Sequence, residues 1–379
     1  MFYRLNIYFP LLYPFFIANL FLSFCVLKEA GELQNSFVIV FSCWNTMIGT
    51  AVVALPWAFQ QAGMALSIII SFTSFLVSFY TCKLIVDSQG NDPDFCVTLK
   101  KYYGQVGYYT GIISPIILMF GAAIVLFIIL SQLSYPVLLA LYAWGKDADY
   151  DPKIKEFPTF ETFSSSYTAI VLYFVLVWVS SKKNLGVFIR LGSLGAIFVS
   201  MLVIFILILG IYGFFTTDYQ IGNTAQNRAT LWANLHGVRT IVLFNTNFSP
   251  LAGILCTGYY LHTVSMPILR QSKKPENNMR NLFLSYLLVF LSYIIVGSLG
   301  YIGFIGTLFK KYFTRNLKTS TSGDIAQNCL NMYGYNSAVA FVVRLSIFML
   351  LFSTYPLLNL MLRTQILNLV WQGREITHK

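Results

Sequence analysis

The sequence predicts an all-α, polytopic membrane protein, and three observations predict it. Of 379 residues, 57% are hydrophobic and only 10% charged, where a soluble domain carries roughly 25% charged residues. The charges cluster, leaving uncharged runs at 5–27, 33–82, 102–145, 162–181, 191–217, 240–269, 281–309 and 345–362. Several of these exceed the roughly 20 apolar residues that cross a bilayer as a helix. Every tryptophan except Trp44 (Trp57, Trp144, Trp178, Trp232 and Trp371) falls near the end of one of the spans expected below, as an interfacial aromatic belt requires. A water-soluble surface cannot be built from so few charges, which excludes a soluble enzyme of one or two domains.

The net charge of +11 would suggest nucleic acid in a soluble chain. Here the basic residues sit in short loops between apolar runs, where the positive-inside rule accounts for them, and no nucleic acid is expected. Six cysteines (Cys25, Cys43, Cys82, Cys96, Cys256, Cys329) are scattered without a CxxC or His/Cys cluster. Only Cys96 and Cys329 lie clearly outside the runs, on sides expected to be opposite, so no disulfide framework is indicated.

Taken in order, residues 5–27 follow Arg4 and resemble a signal peptide without a convincing cleavage site. An additional span, an embedded anchor and a gene-model artefact all remain open for 1–33. The run from Leu33 to Cys82 is too long for one crossing and contains the turn signal Gln60-Gln61-Ala62-Gly63. It reads as spans at about 36–59 and 64–86. The third run has Pro115 and Pro136 but no polar turn, and reads as one long, tilted or kinked span at about 108–143. Further spans are expected at about 163–181, 187–215, 241–269, 281–306 and 337–369, eight in all, followed by a cytosolic tail at 373–379.

Lys83, Lys100, Lys101, Lys182, Lys183, Arg190, Arg270, Lys273, Lys274, Arg280, Arg363, Arg374 and Lys379 fall on one side, and fewer basic residues fall on the other. The bias is modest, and it puts both the segment before the first span and the end of the eighth in the cytosol.

The chemistry concentrates in the first span. Asn45, Thr46, Gly49 and Thr50 place polar and flexible residues at mid-membrane, and Pro56 follows. Backbone loosened at that depth needs partners, and unwound carbonyls and helix-end N–H groups can hold a cation and an anion. Close helix packing through Gly, Thr and Asn is the competing explanation.

Asn45-Thr46-Met47-Ile48-Gly49-Thr50, Pro56-Trp57 and Gln61-Ala62-Gly63 resemble span one of the amino acid/auxin permease superfamily. The sodium-coupled neutral amino-acid transporters resemble the chain more closely. Lys273-Lys274-Pro275-Glu276-Asn277-Asn278-Met279-Arg280, Ile325-Ala326-Gln327-Asn328, and Arg344 with Thr354-Tyr355-Pro356-Leu357-Leu358 narrow the resemblance to the lysosomal, arginine-sensing branch, over residues 34–372. The resemblance implies a LeuT-like fold of two inverted five-helix repeats, with spans one and six broken at the substrate site.

Gly253 and Gly258, followed by Tyr259, Tyr260 and His262, fit the second break. The family's sodium site carries over to Asn45 and Thr354, and its largely backbone substrate contacts carry over to Thr46, Met47, Gly49 and Thr50. His262 matches a family histidine, open to a proton-linked role or to packing. Arg344, about two turns into the last span, could carry function or snorkel toward the aqueous face. Gly297, Gly300, Gly303 and Gly306 recur along span seven, as helix packing requires. Asn247-Phe248-Ser249 is formally a glycosylation sequon, expected to be unoccupied because Pro250 and a span follow.

The family continues for three more spans after its eighth, so the second repeat is expected to be incomplete in these 379 residues. The related branch contacts the Rag–Ragulator complex, upstream of the growth kinase mTORC1, through a long polar cytosolic tail. The residues preceding the match here are mostly apolar, which puts that partner in doubt. The implied function is secondary transport of arginine and large neutral amino acids across the lysosomal membrane, with sodium as coupling ion and lipid as surroundings. A transporter-like arginine sensor signalling to mTORC1 with little flux is the alternative, and a non-functional truncated product is a further one. With three histidines, no HExxH and no paired intramembrane carboxylates, no enzymatic activity and no catalytic residue is expected.

Overall fold

Without water to satisfy them, backbone N–H and C=O groups in a bilayer must bond within the chain, and almost every apolar run here closes into helix. The computed structural model describes residues 34–49, 51–90, 95–145, 165–180, 195–216, 219–224, 239–305, 325–332 and 338–371. The helices are α1 (Ser36–Ile48), α2 (Ala51–Ala62), α3 (Met64–Gln89), α4 (Phe95–Gly145), α5 (Ser165–Ser180) and α6 (Gly195–Thr216). After strands β1 (Tyr219–Thr224) and β2 (Arg239–Phe244) come α7 (Ser249–Gly258), α8 (Ser265–Leu269), α9 (Asn278–Ile294), α10 (Gly300–Ile305) and α11 (Ala338–Trp371). Among the described residues, five helical stretches are long and apolar enough to cross a membrane. The pair α1 and α2, bent by 57°, makes a sixth, and α5 and α7 are shorter apolar helices. The chain is therefore an all-α polytopic membrane protein with a small two-stranded addition.

Three features depart from the sequence expectation or add to it. The stretch 241–269 is not one helix. Its first residues are strand, pairing in parallel with β1 in the register Tyr219↔Arg239 to Thr224↔Phe244, because an apolar run alone does not distinguish strand from helix and Thr240-Ile241-Val242 is β-branched. Ahead of the span expected at 108–143, a short helix starts at Phe95 and ends in a kink at Gly104, whose φ of 63° leaves the helical region. There the first turns fold back, so that Cys96 packs against Tyr108 and Ile112. Finally, α9 and α10 are joined by a π-helical turn at Ile295–Leu299. The segments 1–33, 187–194 and 306–324, with Gly306 and Thr50, lie outside the described residues.

The faces of α3 show lipid as the solvent. Its buried side is Ser67, Ser71, Phe75 and Cys82, while Ile69, Phe72, Val77 and Tyr80 are about half exposed. Small polar groups inside and large apolar ones outside is the arrangement expected where packing and not water exclusion drives helix association. Across that seam the rings of Phe75 and Phe290 stack at 5.3 Å, and Phe79 meets Phe283 edge-on at 5.3 Å. The glycines of span seven serve close approach. A Cβ on Gly297 would enter the Phe59 ring, one on Gly300 would lie 2.6 Å from Pro56, and one on Gly303 would lie 2.9 Å from Leu209.

Candidate functional site

The first break falls between α1 and α2. Gly49 has φ 37° and ψ −133°, a conformation that costs an L-residue about 1–2 kcal/mol, so glycine is what lets the helix stop here. The second break follows Gly258, where 259–264 leave the helix before α8 resumes at Ser265.

Two sets of hydrogen bonds set these broken segments antiparallel. At one end, Gln34 N donates to Gln271 O (2.6 Å) and Lys273 N donates to Gln34 O (2.8 Å), joining the start of α1 to the chain just after α8. At the other, Asn245 N donates to Ala62 O (2.8 Å), and the Asn245 and Asn247 amides donate to Gln61 O (2.6 Å) and Gln61 Oε1 (2.9 Å). The head of one broken span is thus tied to the tail of the other at both ends, and the breaks meet between them. The approach at the second tie is close enough that a Cβ on Gly63 (φ 90°) would lie 2.6 Å from Leu243 O.

At the meeting point stands Tyr293 of α9, fully buried. Its hydroxyl lies 3.0 Å from Met47 O and 3.2 Å from Gly258 O, carbonyls in the last turns of α1 and α7. These carbonyls have lost their intrahelical partners and carry the negative ends of two helix dipoles. Gly258 makes room for that hydroxyl, since a Cβ there would sit 2.6 Å from it. One helical face of α9 supplies more of the same. Tyr286 donates to Tyr259 O (3.2 Å), Ser292 Oγ accepts from the Trp44 indole (3.1 Å), and Ser285 Oγ approaches Val40 O (3.2 Å) and Asn281 O (2.7 Å).

The expected site residues are distributed around this junction. Met47 is buried and its carbonyl engaged by Tyr293, and Gly49 forms the break itself. The Thr46 side chain is exposed and donates back to Ser42 O (2.8 Å), so it does not reach into the break. The Asn45 amide rests against Gly195, where a Cβ would collide with its Oδ1, and the same Cβ would lie 2.6 Å from Leu350 Cδ1. Thr354 lies one turn further along α11 and donates to Leu350 O (2.9 Å).

His262 lies within the second break, with Nε2 2.9 Å from Thr81 Oγ1 and its ring stacked on Tyr260 at 5.5 Å. Arg344 does not snorkel. It is 1% exposed and donates from Nη2 to Leu330 O at 2.7 Å, because the segment 325–332 folds over it. That segment is held in turn by Gln60, whose Oε1 accepts from Ile325 N at 2.7 Å.

The matched family model spans residues 35–372 and is described as "Transmembrane amino acid transporter protein". The chain belongs to this transmembrane amino acid transporter family. Among its relatives is the sodium-coupled neutral amino acid transporter 9 homolog of Caenorhabditis elegans, 27% identical over 92% of this chain and 61% of that protein. The neutral amino acid transporter 9 of Xenopus laevis is 23% identical over 90% of this chain and 64% of its own length. That of Danio rerio is 24% identical over 92% and 67%. The chain therefore spans somewhat under two thirds of the first two of these relatives.

Membership in a transporter family, and not an enzyme family, fits what the junction offers, which is helix-end carbonyls, an amide and hydroxyls. Sequence reasoning did not single out Tyr293, Tyr286 or Gly195, and it read Gln60 only as part of a turn. A signal for the tyrosines existed: Tyr286 and Tyr293 recur two turns apart in an apolar run, and a buried phenol needs a partner for its O–H.

Proposed function

We propose that this transporter-family chain is the core of a secondary active amino-acid transporter whose substrate binds where the two broken spans meet. The observation that carries the reading is the pair of helix breaks, at Gly49 and at 259–264, held antiparallel by hydrogen bonds at both ends and joined at Tyr293. An inverted pair of discontinuous helices is what a LeuT-like repeat requires, and unwound backbone at membrane depth is where such folds hold substrate. On this reading the backbone of Thr46, Met47, Gly49 and Thr50 contacts the amino acid's charged ends. Arginine and large neutral amino acids are the substrate class, and the lysosomal membrane is the location. Both rest on the motif resemblance.

Asn45 and Thr354 would hold a sodium ion as coupling ion. The donor set fits a hard alkali cation: an amide oxygen, a hydroxyl whose proton is already committed to Leu350 O, and neighbouring carbonyls. The bare Cα of Gly195 leaves room for the Asn45 amide beside it. The test is uptake of labelled amino acids into liposomes holding the purified protein, with sodium and pH varied separately. Saturable arginine uptake that rises with external sodium at fixed pH is expected. Specific arginine binding without flux would replace transport with the sensor reading, and uptake that follows pH alone would remove sodium.

A further inference from the structure

Tyr293 contributes a hydroxyl to each break, although it belongs to neither broken span. Its oxygen has one proton to give, and two carbonyls, Met47 O and Gly258 O, stand within hydrogen-bond distance of it. Both are orphaned by the ends of their helices, and both residues are buried. The ring is fixed by full burial and by Tyr259 at 5.2 Å, so the hydroxyl cannot follow one carbonyl without leaving the other. Directly after Tyr293, the π turn Ile295–Leu299 widens the helix against α2, with Gly297 on the Phe59 ring. Such turns accompany functional positions more often than ordinary helix does. Tyr286, two turns earlier on the same face, makes the simpler contact, reaching Tyr259 O and so only the second break.

We propose that Tyr293 is a positioning residue that couples the two helix breaks, its hydroxyl shared between the Met47 and Gly258 carbonyls so that a shift of either helix end is transmitted to the other. The coupling is a property of the packing. Its consequence for flux rests on the transport reading above, because alternating access moves one repeat against the other around a fixed site.

The experiment uses the full 379-residue chain in lipid nanodiscs, with backbone hydrogen–deuterium exchange followed in peptides covering 45–52 and 256–263. Tyr293→Phe removes one oxygen and keeps the ring. It should raise exchange at both breaks together, by roughly three- to ten-fold, the factor that loss of an ordinary hydrogen bond gives. Tyr286→Phe should raise it only in 256–263. A Tyr293→Phe protein altered at one break or at neither overturns the proposal. If that variant does not fold, Gly258→Ala displaces the same hydroxyl from the other side and should loosen 45–52, in a span to which residue 258 does not belong; unchanged exchange there overturns the proposal equally. In liposomes, Tyr293→Phe should lower the maximal rate of amino-acid uptake several-fold more than it changes KM. Absence of uptake by the unsubstituted chain would sink the transport reading and leave the exchange result to decide the coupling.

Discussion

The amide of Asn45 occupies the space that a side chain on Gly195 would need. An ideal Cβ at residue 195 collides with Asn45 Oδ1 and lies 2.6 Å from both Asn45 Nδ2 and Leu350 Cδ1. Gly195 opens α6, Asn45 belongs to α1 and Leu350 to α11, so this one glycine sets how three helices close around a polar group. The atoms it would displace are side-chain tips and not backbone. Gly195→Ala is therefore expected to fold, with the Asn45 amide swung away, and to lose most of its sodium dependence of uptake. Unchanged sodium dependence in a monodisperse Gly195→Ala sample would show that the amide's position does not matter to the ion.

If Asn45 and Thr354 share one cation, their effects cannot add. Asn45→Ala and Thr354→Ala should each weaken sodium dependence, and the double variant should lose little more than either single one. The measurement is the sodium concentration for half-maximal uptake in all four proteins. Strictly additive losses would point to separate packing roles.

Gly49 is required by its backbone and not by its surroundings. Among the described residues, the only near neighbour for an added Cβ is Met47 O at 3.9 Å, but the φ of Gly49 is 37°. Gly49→Ala should cost about 1–2 kcal/mol, seen as a lowered Tm, without any change in which lipids or detergents keep the protein dispersed. A Tm equal to that of the unsubstituted chain would mean that α1 and α2 run on as one helix there.

Arg344 caps Leu330 O from a fully buried position. Arg344→Leu removes a charged donor and should destabilise the protein by about 1.5–3 kcal/mol, and limited proteolysis should then cut within 325–332. Arg344→Lys should recover little, since an ammonium on a shorter stem lacks the planar fork that reaches the carbonyl. Full recovery by lysine would contradict the capping role.

Burial pushes the Cys329 thiol up to about 12, against a small opposing effect of backbone N–H groups at Cys329 and Leu330. Its thiolate, the reactive form, is therefore scarce at neutral pH and still scarce at about pH 9, where an ordinary thiol has ionised. Alkylation at Cys329, followed by mass spectrometry, should stay near zero across that range in the folded protein and go to completion once it is denatured. Rapid labelling near pH 8 would show that the 325–332 segment does not stay packed with Cys329 buried.

Composition and charge spacing determined by themselves that this chain crosses a membrane several times as helices, because a bilayer admits few other solutions for a backbone. The interruptions at Gly49 and at Gln60–Gly63 were also legible, since glycine within an apolar run weakens a helix, and the order of motifs carried the family. The tertiary structure decided what local pattern could not. The run at 240–269 divides into strand, helix and break because Tyr219–Thr224 is available to pair with it. Arg344 is buried because a distant segment, pinned by Gln60, covers it. Tyr293 faces two helix ends far from it in sequence because α9 packs between them. Apolar periodicity reports which face of a helix is buried and is silent on what that face meets, so the convergence of Met47, Gly258 and Tyr293 on one oxygen became visible only when the helices were in place.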